Sequence, residues 1–310
     1  MGKALRLCAC GGGDFGLPAL AALRAAGHEL ALLVTPPPRP AGRGRELTPC
    51  PAERWGRAQG VPLLAAADVN AADSVAAIAA ASPDVLFVVD FGQILRAPVL
   101  GLPRLAAVNL HGSLLPALRG AEPVRRAVLD GLAETGVTTI TMDERVDTGG
   151  ILLQAALPVA ADETCGSLRA KLAALGAEVT VRTLAGLADG TLRPRPQDGT
   201  RASLAKKLAK EERVIDWSRP AVEIDRRVRG LAPAPGAHTL RAGKRLLIGA
   251  VRPAAGSGRA GTVVALDPLT VAAGDGLLEM VRLQPEGKKD MTAAEFTRGY
   301  RPAFGEQWGG

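Results

Sequence analysis

Short apolar runs alternate with longer amphipathic segments through the first two thirds of the chain. Apolar runs bounded by turn residues predict buried strands, whereas apolar residues at helical spacing predict helices. Strands are predicted over 4–9, 30–34, 61–64, 85–89, 105–108, 136–142 and 151–159. Helices are predicted over 17–26, 52–59, 75–81, 122–131 and 164–187, the last with Thr164 at its N-cap. This alternation predicts an α/β fold built on a mainly parallel sheet.

The pattern changes after residues 189–199, a segment rich in Pro, Gly and polar residues that is typical of a linker. Beyond it we predict helices over 206–212 and 221–231, followed by several short strands within 239–283. Helices followed by short strands are compatible with a small β-barrel. The predicted organisation is an N-terminal α/β domain over 1–189, a linker over 190–203 and a smaller C-terminal β domain over 204–310.

The composition is that of a soluble globular protein, with 310 residues, 47% of them hydrophobic and 22% charged. No apolar run reaches the roughly 18 residues of a membrane helix, and residues 1–6 lack the apolar core of a signal peptide. We therefore expect a cytoplasmic protein. Four cysteines show no spacing typical of zinc ligands, and we expect them to be reduced: Cys8, Cys10, Cys50 and Cys165.

Positive charge is concentrated in the last third of the chain. Residues 201–310 hold 19 Lys or Arg against 12 Asp or Glu, so the whole formal net charge of +7 lies there. A basic surface often means only solubility, but it is also the electrostatic footprint of a protein that binds nucleic acid.

Candidate chemistry follows the strand predicted over 105–108. Asn109 and His111 are two residues apart, so both side chains leave the same face of an extended chain, at the strand end where α/β sheets bind ligands. An amide donor beside an imidazole suits acyl transfer, because the tetrahedral intermediate needs a donor for its oxyanion and a group that moves protons. Asp147 would fix the imidazole tautomer if the fold brought it near. On these residues alone, a turn with a satisfied histidine and an Asx-turn at Asp147 remain alternatives.

The loop after the first predicted strand, Gly11 to Gly16, fits the pattern G-x-G-x-x-G of dinucleotide-binding proteins. That function requires an acidic residue at the end of the second strand, where this chain has Thr35-Pro36-Pro37. The sequence therefore argues against a nicotinamide-dependent oxidoreductase.

Several segments, in order along nearly the whole chain, carry a resemblance that is more specific than any single motif. They are residues 35–44, 109–116 with Arg119-Gly120, 134–138, 142–143, 147–149, 207–212, 215–217 and 283–289. Together they resemble the formyltransferases that use 10-formyltetrahydrofolate, and within that family the sequences that act on methionyl-tRNA. The resemblance implies a Rossmann-like N-terminal catalytic domain and a C-terminal domain similar to oligonucleotide-binding barrels.

The resemblance also implies roles for individual residues. Formyl transfer from 10-formyltetrahydrofolate to the amino group of methionyl initiator tRNA would be catalysed by Asn109, His111 and Asp147, without a metal ion. The folate would be contacted by Phe91, Gly92, Ile94, Ser113, Leu114, Leu115 and Pro116. The tRNA would be contacted by Arg43, Arg45, Lys206, Lys207 and Lys210. We expect the protein to act as a monomer that does not contact membranes.

The chain departs from the family pattern in three places. The family usually has Gly-Thr-Pro where this chain has Gly11-Gly12-Gly13, a small apolar residue where it has Asp90, and Pro-Trp-Pro within the segment that corresponds to 231–236. Two other functions stay open: formylation of an amino sugar nucleotide, and RNA binding by an inactive relative. Arg43 and the basic last third favour a tRNA acceptor, and the intact Asn109, His111 and Asp147 favour an active enzyme.

Overall fold

The structure, a computed structural model, describes residues 3–41 and 46–309. The chain forms two compact units, which are described separately. Unit 1 comprises Met1–Pro123, Glu134–Pro158 and Arg169–Lys206, and unit 2 comprises Val124–Ala133, Val159–Leu168 and Lys207–Gly310. Two residues of the predicted tRNA contact, Arg43 and Arg45, lie outside the described residues.

The strands are numbered in chain order. They are β1 (Arg6–Gly11), β2 (Glu29–Thr35), β3 (Arg39–Ala41), β4 (Glu46–Thr48), β5 (Leu63–Ala65), β6 (Val85–Val89), β7 (Ala106–His111), β8 (Arg119–Gly120), β9 (Glu134–Thr141), β10 (Ile151–Pro158), β11 (Leu204–Ala205), β12 (Ala237–Arg241), β13 (Lys244–Ala254), β14 (Val263–Leu266), β15 (Leu269–Ala272), β16 (Leu277–Pro285) and β17 (Met291–Thr292). The helices are α1 (Leu17–Ala25), α2 (Pro51–Ala58), α3 (Ala72–Ala80), α4 (Ala97–Leu100), α5 (Pro123–Leu129), α6 (Cys165–Ala188), α7 (Ala221–Leu231) and α8 (Ala293–Tyr300).

Unit 1 is organised around a seven-stranded sheet in the order β10-β9-β7-β6-β1-β2-β5. The strands from β7 to β5 are parallel, whereas β9 runs antiparallel to β7 and β10 antiparallel to β9. Every residue of β6 is buried, as expected for an uninterrupted apolar run in the middle of a parallel sheet. The prediction of a Rossmann-like α/β fold is confirmed. Because parallel strands end at one edge, the loops after β1, β6 and β7 meet there.

Strand β7 is longer than the apolar run that predicted it. Asn109 pairs with Ile140 and His111 pairs with Thr138 of β9, so both polar residues belong to the strand. Helix α6 begins as predicted, with the hydroxyl of Thr164 accepting from the backbone N–H of Ser167 at 3.1 Å. Two short strands between β2 and α2, β3 and β4, were not predicted, and they pair antiparallel.

Unit 2 contains an antiparallel sheet in the order β12-β13-β16-β15-β14, with β17 paired to β16. Its core holds Trp217, Phe296 and Trp308, and Trp308 makes edge-on contacts with both other rings at centroid distances of 6.2 Å. The prediction of a C-terminal β domain is confirmed. Helix α8 was not predicted, although Thr292 and Glu295 form a capping box that marks its start.

The helix predicted over 206–212 is wrong. Residues 206–210 adopt no regular structure, and a single 3-10 turn covers Glu211–Arg213. The carboxylate of Glu212 accepts from the N–H of Ala209 at 2.8 Å and from Arg126 at 2.6 and 2.9 Å. This pairing with a residue far away in sequence favours the turn, which periodicity within the segment cannot reveal. As a result the exposed Lys206, Lys207 and Lys210 do not share a helical face.

Among the described residues, no helix combines the length and the apolar character that crossing a membrane requires.

We expect Glu212→Gln to destabilise unit 2 by about 1 kcal/mol at pH 7, because it removes a charge-assisted pair that water partly screens. Hydrogen bonding from Arg126 is the main reason that the pKa of Glu212 is lowered from 4.5 to about 2. A lowered pKa contributes stability that is fully present above pH 4.5 and is lost as the pH falls through about 2. Urea titrations followed by circular dichroism should therefore show a smaller difference between variant and wild type at pH 3 than at pH 7.

The neighbouring Glu211→Gln is the matched control, because Glu211 is exposed. It should change stability by less than about 0.5 kcal/mol. A destabilisation of Glu212→Gln that stays constant between pH 7 and pH 3 would contradict the assigned pairing.

Candidate active site

The carboxyl end of β7 carries the first two candidate residues. Asn109 is half-buried and His111 is only 6% exposed, and their side chains leave the same face of the strand. Leu110 is buried and approaches Gly176 of α6, where an added Cβ would lie 2.9 Å from the Leu110 side chain. The helix thus packs closely against β7 and supports the strand that presents Asn109 and His111.

The chain after β7 folds back over His111. The hydroxyl of Ser113 donates to the carbonyl of Ala117 at 2.6 Å, and the hydroxyl of Thr138 donates to the carbonyl of Ser113 at 2.7 Å. These bonds shape a turn that brings the carbonyl of Leu118 to 2.9 Å from Nε2 of His111. Because a carbonyl oxygen only accepts, Nε2 carries a proton, and Nδ1 is the nitrogen left for other chemistry.

Asp147 lies in the loop between β9 and β10, with its backbone in the left-handed region at φ 53°. Its carboxylate Oδ2 accepts from the N–H of Gly120 at 2.8 Å. Gly149 is required nearby, because an added Cβ there would lie 1.7 Å from the carbonyl oxygen of Thr141. The loop therefore holds the Asp147 carboxylate in one place.

Gln197 is a site residue that sequence reasoning missed. Its side-chain amide donates to the carbonyls of Asp147 and Gly149, both at 2.8 Å, and its side-chain oxygen accepts from Arg119 at 2.7 and 3.1 Å. Gln197 stands in the segment that was predicted to be a linker, where no periodicity or motif distinguishes it. Its role is visible only once the fold brings residues 119, 147 and 197 together.

The three predicted catalytic residues converge at this edge of the sheet. Nδ1 of His111 lies 3.5 Å from Oδ2 of Asp147, and Nδ2 of Asn109 lies 3.4 Å from Oδ1 of the same carboxylate. Both distances exceed those of strong hydrogen bonds, whereas the bond from Gly120 to Asp147 is short. The carboxylate is thus fixed, and the amide and the imidazole lie beside it without forming strong hydrogen bonds to it.

The predicted folate residues after β6 form a loop with free backbone groups. Within the ranges that the structure describes, no hydrogen bond reaches the backbone N–H or C=O of Phe91 or Gly92. Gly92 has φ 78° and open space where a Cβ would stand, and the side chain of Ile94 is 60% exposed. The side chain of Gln93 is fixed by bonds with the backbone of Val69 and Ala66 at 2.8 and 3.0 Å.

The predicted folate residues after β7 are more enclosed. Ser113 is 1% and Leu115 3% exposed, whereas Leu114 and Pro116 are half-buried. Because the Ser113 hydroxyl donates to Ala117, Ser113 acts in shaping the loop. Over residues 3–41 and 46–309, no group of three or more His, Cys, Asp and Glu side chains is arranged to hold a metal ion.

This geometry suits acyl transfer. Nδ2 of Asn109 can donate to an oxygen that becomes negative during attack on a carbonyl carbon, and the imidazole of His111 lies beside it as a group that can move protons. The Asp147 carboxylate, which Gly120 fixes, lies on the Nδ1 side of the imidazole and would stabilise a proton there.

Two family descriptions match the chain. The first, "Formyl transferase", matches residues 6–184, and the second, "Formyl transferase, C-terminal domain", matches residues 207–301. The chain is 42% identical over 302 residues to a methionyl-tRNA formyltransferase of Pseudomonas paraeruginosa, covering 97% of each chain. It is 43% identical over 307 residues to a methionyl-tRNA formyltransferase of Moorella thermoacetica, covering 97% of this chain and 98% of the relative.

Solved structures share the fold. HypX from Aquifex aeolicus in complex with tetrahydrofolic acid superposes with a TM-score of 0.68 at 17% identity, over 98% of this chain and 49% of HypX. An N-formyltransferase from Helicobacter canadensis superposes with a TM-score of 0.65 at 14% identity, over 89% of this chain and 99% of the other. From the two matching domains and the full-length relatives, the chain belongs to the formyl transferase family.

Proposed function

We propose that the protein transfers the formyl group of 10-formyltetrahydrofolate to the free amino group of methionyl initiator tRNA, as a monomer in the cytoplasm. The observation that carries this proposal is the convergence of Asn109, His111 and Asp147 at the carboxyl edge of the sheet, in a chain about 42% identical over nearly its whole length to methionyl-tRNA formyltransferases. The family of the chain supports the reaction class, and the three residues are of the types that formyl transfer would use.

The reaction begins when the free amine attacks the formyl carbon. Asn109 Nδ2 and protonated His111 Nδ1 donate to the oxyanion that forms, and the Asp147 carboxylate balances the charge of the imidazolium. The carbon–nitrogen bond to the folate then breaks as Nδ1 of His111 gives its proton to the folate nitrogen. The neutral imidazole afterwards takes up the proton that the amine loses, which restores the imidazolium. The tetrahydrofolate and the formylated amine are the products.

The formyl donor would bind in the space between the two loops described above. The free N–H and C=O groups of Phe91 and Gly92 can pair with the polar edge of a heterocycle, as strand edges pair with other strands. The exposed side chain of Ile94 supplies an apolar contact, and Leu114, Leu115 and Pro116 line the opposite loop. Ser113 contributes by holding that loop in shape.

The tRNA would contact the β3–β4 hairpin and the basic last third of the chain. In the sequence, Arg43 and Arg45 come after β3 and before β4. Residues 204–310, which we assign as the tRNA-binding domain, hold most of the surplus positive charge. Lys206, Lys207 and Lys210 are exposed and could contact phosphates from an irregular segment.

A formyl-transfer assay with purified protein and 10-formyltetrahydrofolate decides the acceptor. Methionyl initiator tRNA should be formylated, and a methionyl elongator tRNA and an amino sugar nucleotide should react far more slowly. Preference for the sugar nucleotide would replace the proposed acceptor with the main alternative. Folate binding without transfer to any of the three would indicate an inactive relative.

The catalytic assignment predicts distinct losses in kcat. Asn109→Ala should lower kcat by about 10² to 10³, because an oxyanion donor is removed. His111→Ala should lower kcat by about 10² to 10⁴, because proton transfer is lost. Asp147→Asn should also impair turnover, since a neutral amide cannot stabilise the imidazolium.

Each of these variants should bind 10-formyltetrahydrofolate with a Kd close to that of wild type in calorimetry, and each should have a wild-type circular dichroism spectrum. Folded variants of Asn109 and His111 that turn over at the wild-type rate would disprove the assignment.

Exposed lysines of unit 2 should contribute to tRNA affinity through phosphates. Lys207→Ala combined with Lys210→Ala should weaken binding of initiator and elongator tRNA alike and reduce the slope of log affinity against log salt by somewhat less than about 1 per charge. Filter binding at several salt concentrations measures both effects. Lys3→Ala is the control, because Lys3 precedes β1 and therefore lies at the amino ends of the strands, away from the site. If the double variant leaves the slope of log affinity against log salt unchanged, Lys207 and Lys210 do not contact the tRNA.

A further inference from the structure

One arginine connects two loops at the carboxyl edge of the unit 1 sheet. Arg169 of α6 donates from Nε and Nη2 to Asp14, in the loop after β1, at 3.1 and 2.9 Å. Its Nη2 also donates to Asp90, in the loop after β6, at 2.7 Å. The guanidinium lies over the ring of Phe15, 5.1 Å from the ring centroid. The two loops are therefore tied to the same helix through a single planar group.

The space occupied by the Asp90 carboxylate depends on Gly13. A Cβ added to Gly13 would lie 1.7 Å from Oδ2 of Asp90 and 2.6 Å from its Cγ, far closer than nonbonded atoms can approach. The backbone adds another contact, because the N–H of Gly12 donates to the carbonyl of Asp90 at 3.0 Å. Residues 13 and 90 therefore lie in direct contact, and a side chain at residue 13 would need the space that the Asp90 carboxylate fills.

The coupled loops border the free backbone groups of Phe91 and Gly92. Asp90 has φ 52°, a left-handed conformation that Asp, Asn and Gly tolerate better than other residues. Its carboxylate is held by Arg169 just before these two residues, and the side chain of Gln93 is held by Val69 and Ala66 just after them. The segment is thus anchored on both sides, and its central backbone groups remain available to a ligand.

We propose that Arg169 is a positioning residue for the formyl donor, and that Asp14, Asp90 and Gly13 complete a latch that sets the Phe91–Gly92 backbone in place. The term latch refers to these four residues. This inference rests on the proposed function, because it assumes that the folate binds along that backbone. In this proposal the Asp90 carboxylate binds Arg169 and not the folate. Asp90 then affects folate binding only by holding the Phe91–Gly92 backbone in position.

The guanidinium is needed for its shape as well as its charge. Arg169 reaches two carboxylates with a planar fork, whereas a lysine ammonium is a single point charge on a flexible stem. Arg169→Lys should therefore restore only part of what Arg169→Gln loses. Asp90→Asn keeps the left-handed backbone and the shape of the side chain while removing its charge, and it should weaken the latch in the same direction.

Calorimetry with 10-formyltetrahydrofolate tests the proposal together with steady-state kinetics, in which the folate and the initiator tRNA are varied in turn while the other substrate is saturating. Arg169→Gln should raise the Kd and the KM for the folate by about 3- to 10-fold, equivalent to roughly 1 kcal/mol of lost positioning. It should leave kcat within about twofold and the KM for tRNA unchanged, as expected when only ground-state binding is affected. The control is Arg182→Gln, which removes an exposed arginine farther along α6 and should change none of these quantities.

A second measurement uses the contact between residues 13 and 90. Gly13→Ala should raise the folate Kd and lower the Tm by several degrees in the wild-type background, because the new Cβ displaces the Asp90 carboxylate. In an Asp90→Gly background that carboxylate is absent and the left-handed backbone is retained. There, Gly13→Ala should change the folate Kd and the Tm much less than in the wild-type background.

The outcomes separate the latch from the function on which it rests. An Arg169→Gln variant that loses Tm but binds the folate as tightly as wild type would reduce Arg169 to a structural role and overturn the proposal. The proposal would also be overturned if Gly13→Ala changed the folate Kd and the Tm by the same amount in the wild-type and Asp90→Gly backgrounds. If the wild-type protein binds the folate but formylates no tRNA, only the acceptor assignment is wrong, because the folate Kd values of the variants still test the latch. If the wild-type protein binds no folate, both the proposed function and the latch are wrong.

Discussion

The short bond from the N–H of Gly120 to the Asp147 carboxylate is the contact on which the candidate site depends. It fixes a negative charge at the edge of the sheet, and Asn109 and His111 are oriented by that charge at longer distances. The same loop is held from behind by Gln197, which bonds to the carbonyls of Asp147 and Gly149. A donor whose position is fixed before the reaction begins needs little reorganisation when the oxyanion forms, which is what preorganised catalysis requires.

The positions of the loops around the site follow from the parallel sheet. Strands β1, β6 and β7 are neighbours and end at one edge, so the loop at 11–16, the loop at 90–95 and the loop that follows His111 are brought together by strand order alone. Helix α6 then ties two of these loops through Arg169 and packs against β7 at Gly176. One helix therefore supports both the proposed catalytic strand and the proposed donor loop.

Gly13 and Asp90, which the sequence analysis singled out independently, meet in a single contact. A side chain at residue 13 and a carboxylate at residue 90 would compete for the same space, so the absence of one permits the presence of the other. The Asp90 carboxylate pairs with Arg169, whose guanidinium also lies over the ring of Phe15, so charge and ring contact together hold the loop after β1. Partial exposure of these groups means that the ion pairs contribute modestly to stability, so their main effect is on loop position.

What the sequence determined by itself was local. Apolar runs and helical spacing identified β6, α6 and α7 within a residue or two, and the spacing of Asn109 and His111 placed both side chains on one face, because each of these signals lies within one element. Only the tertiary structure decided the features that depend on contacts between residues far apart in the sequence. Residues 206–210 did not form the predicted helix because Glu212 pairs with Arg126, and Gln197 became a site residue because the fold brings it to Asp147. A side chain at residue 13 would displace the Asp90 carboxylate, because that carboxylate lies against Gly13. No pattern within a short window records such contacts, since they join residues about 80 positions apart in two cases and 50 in the third.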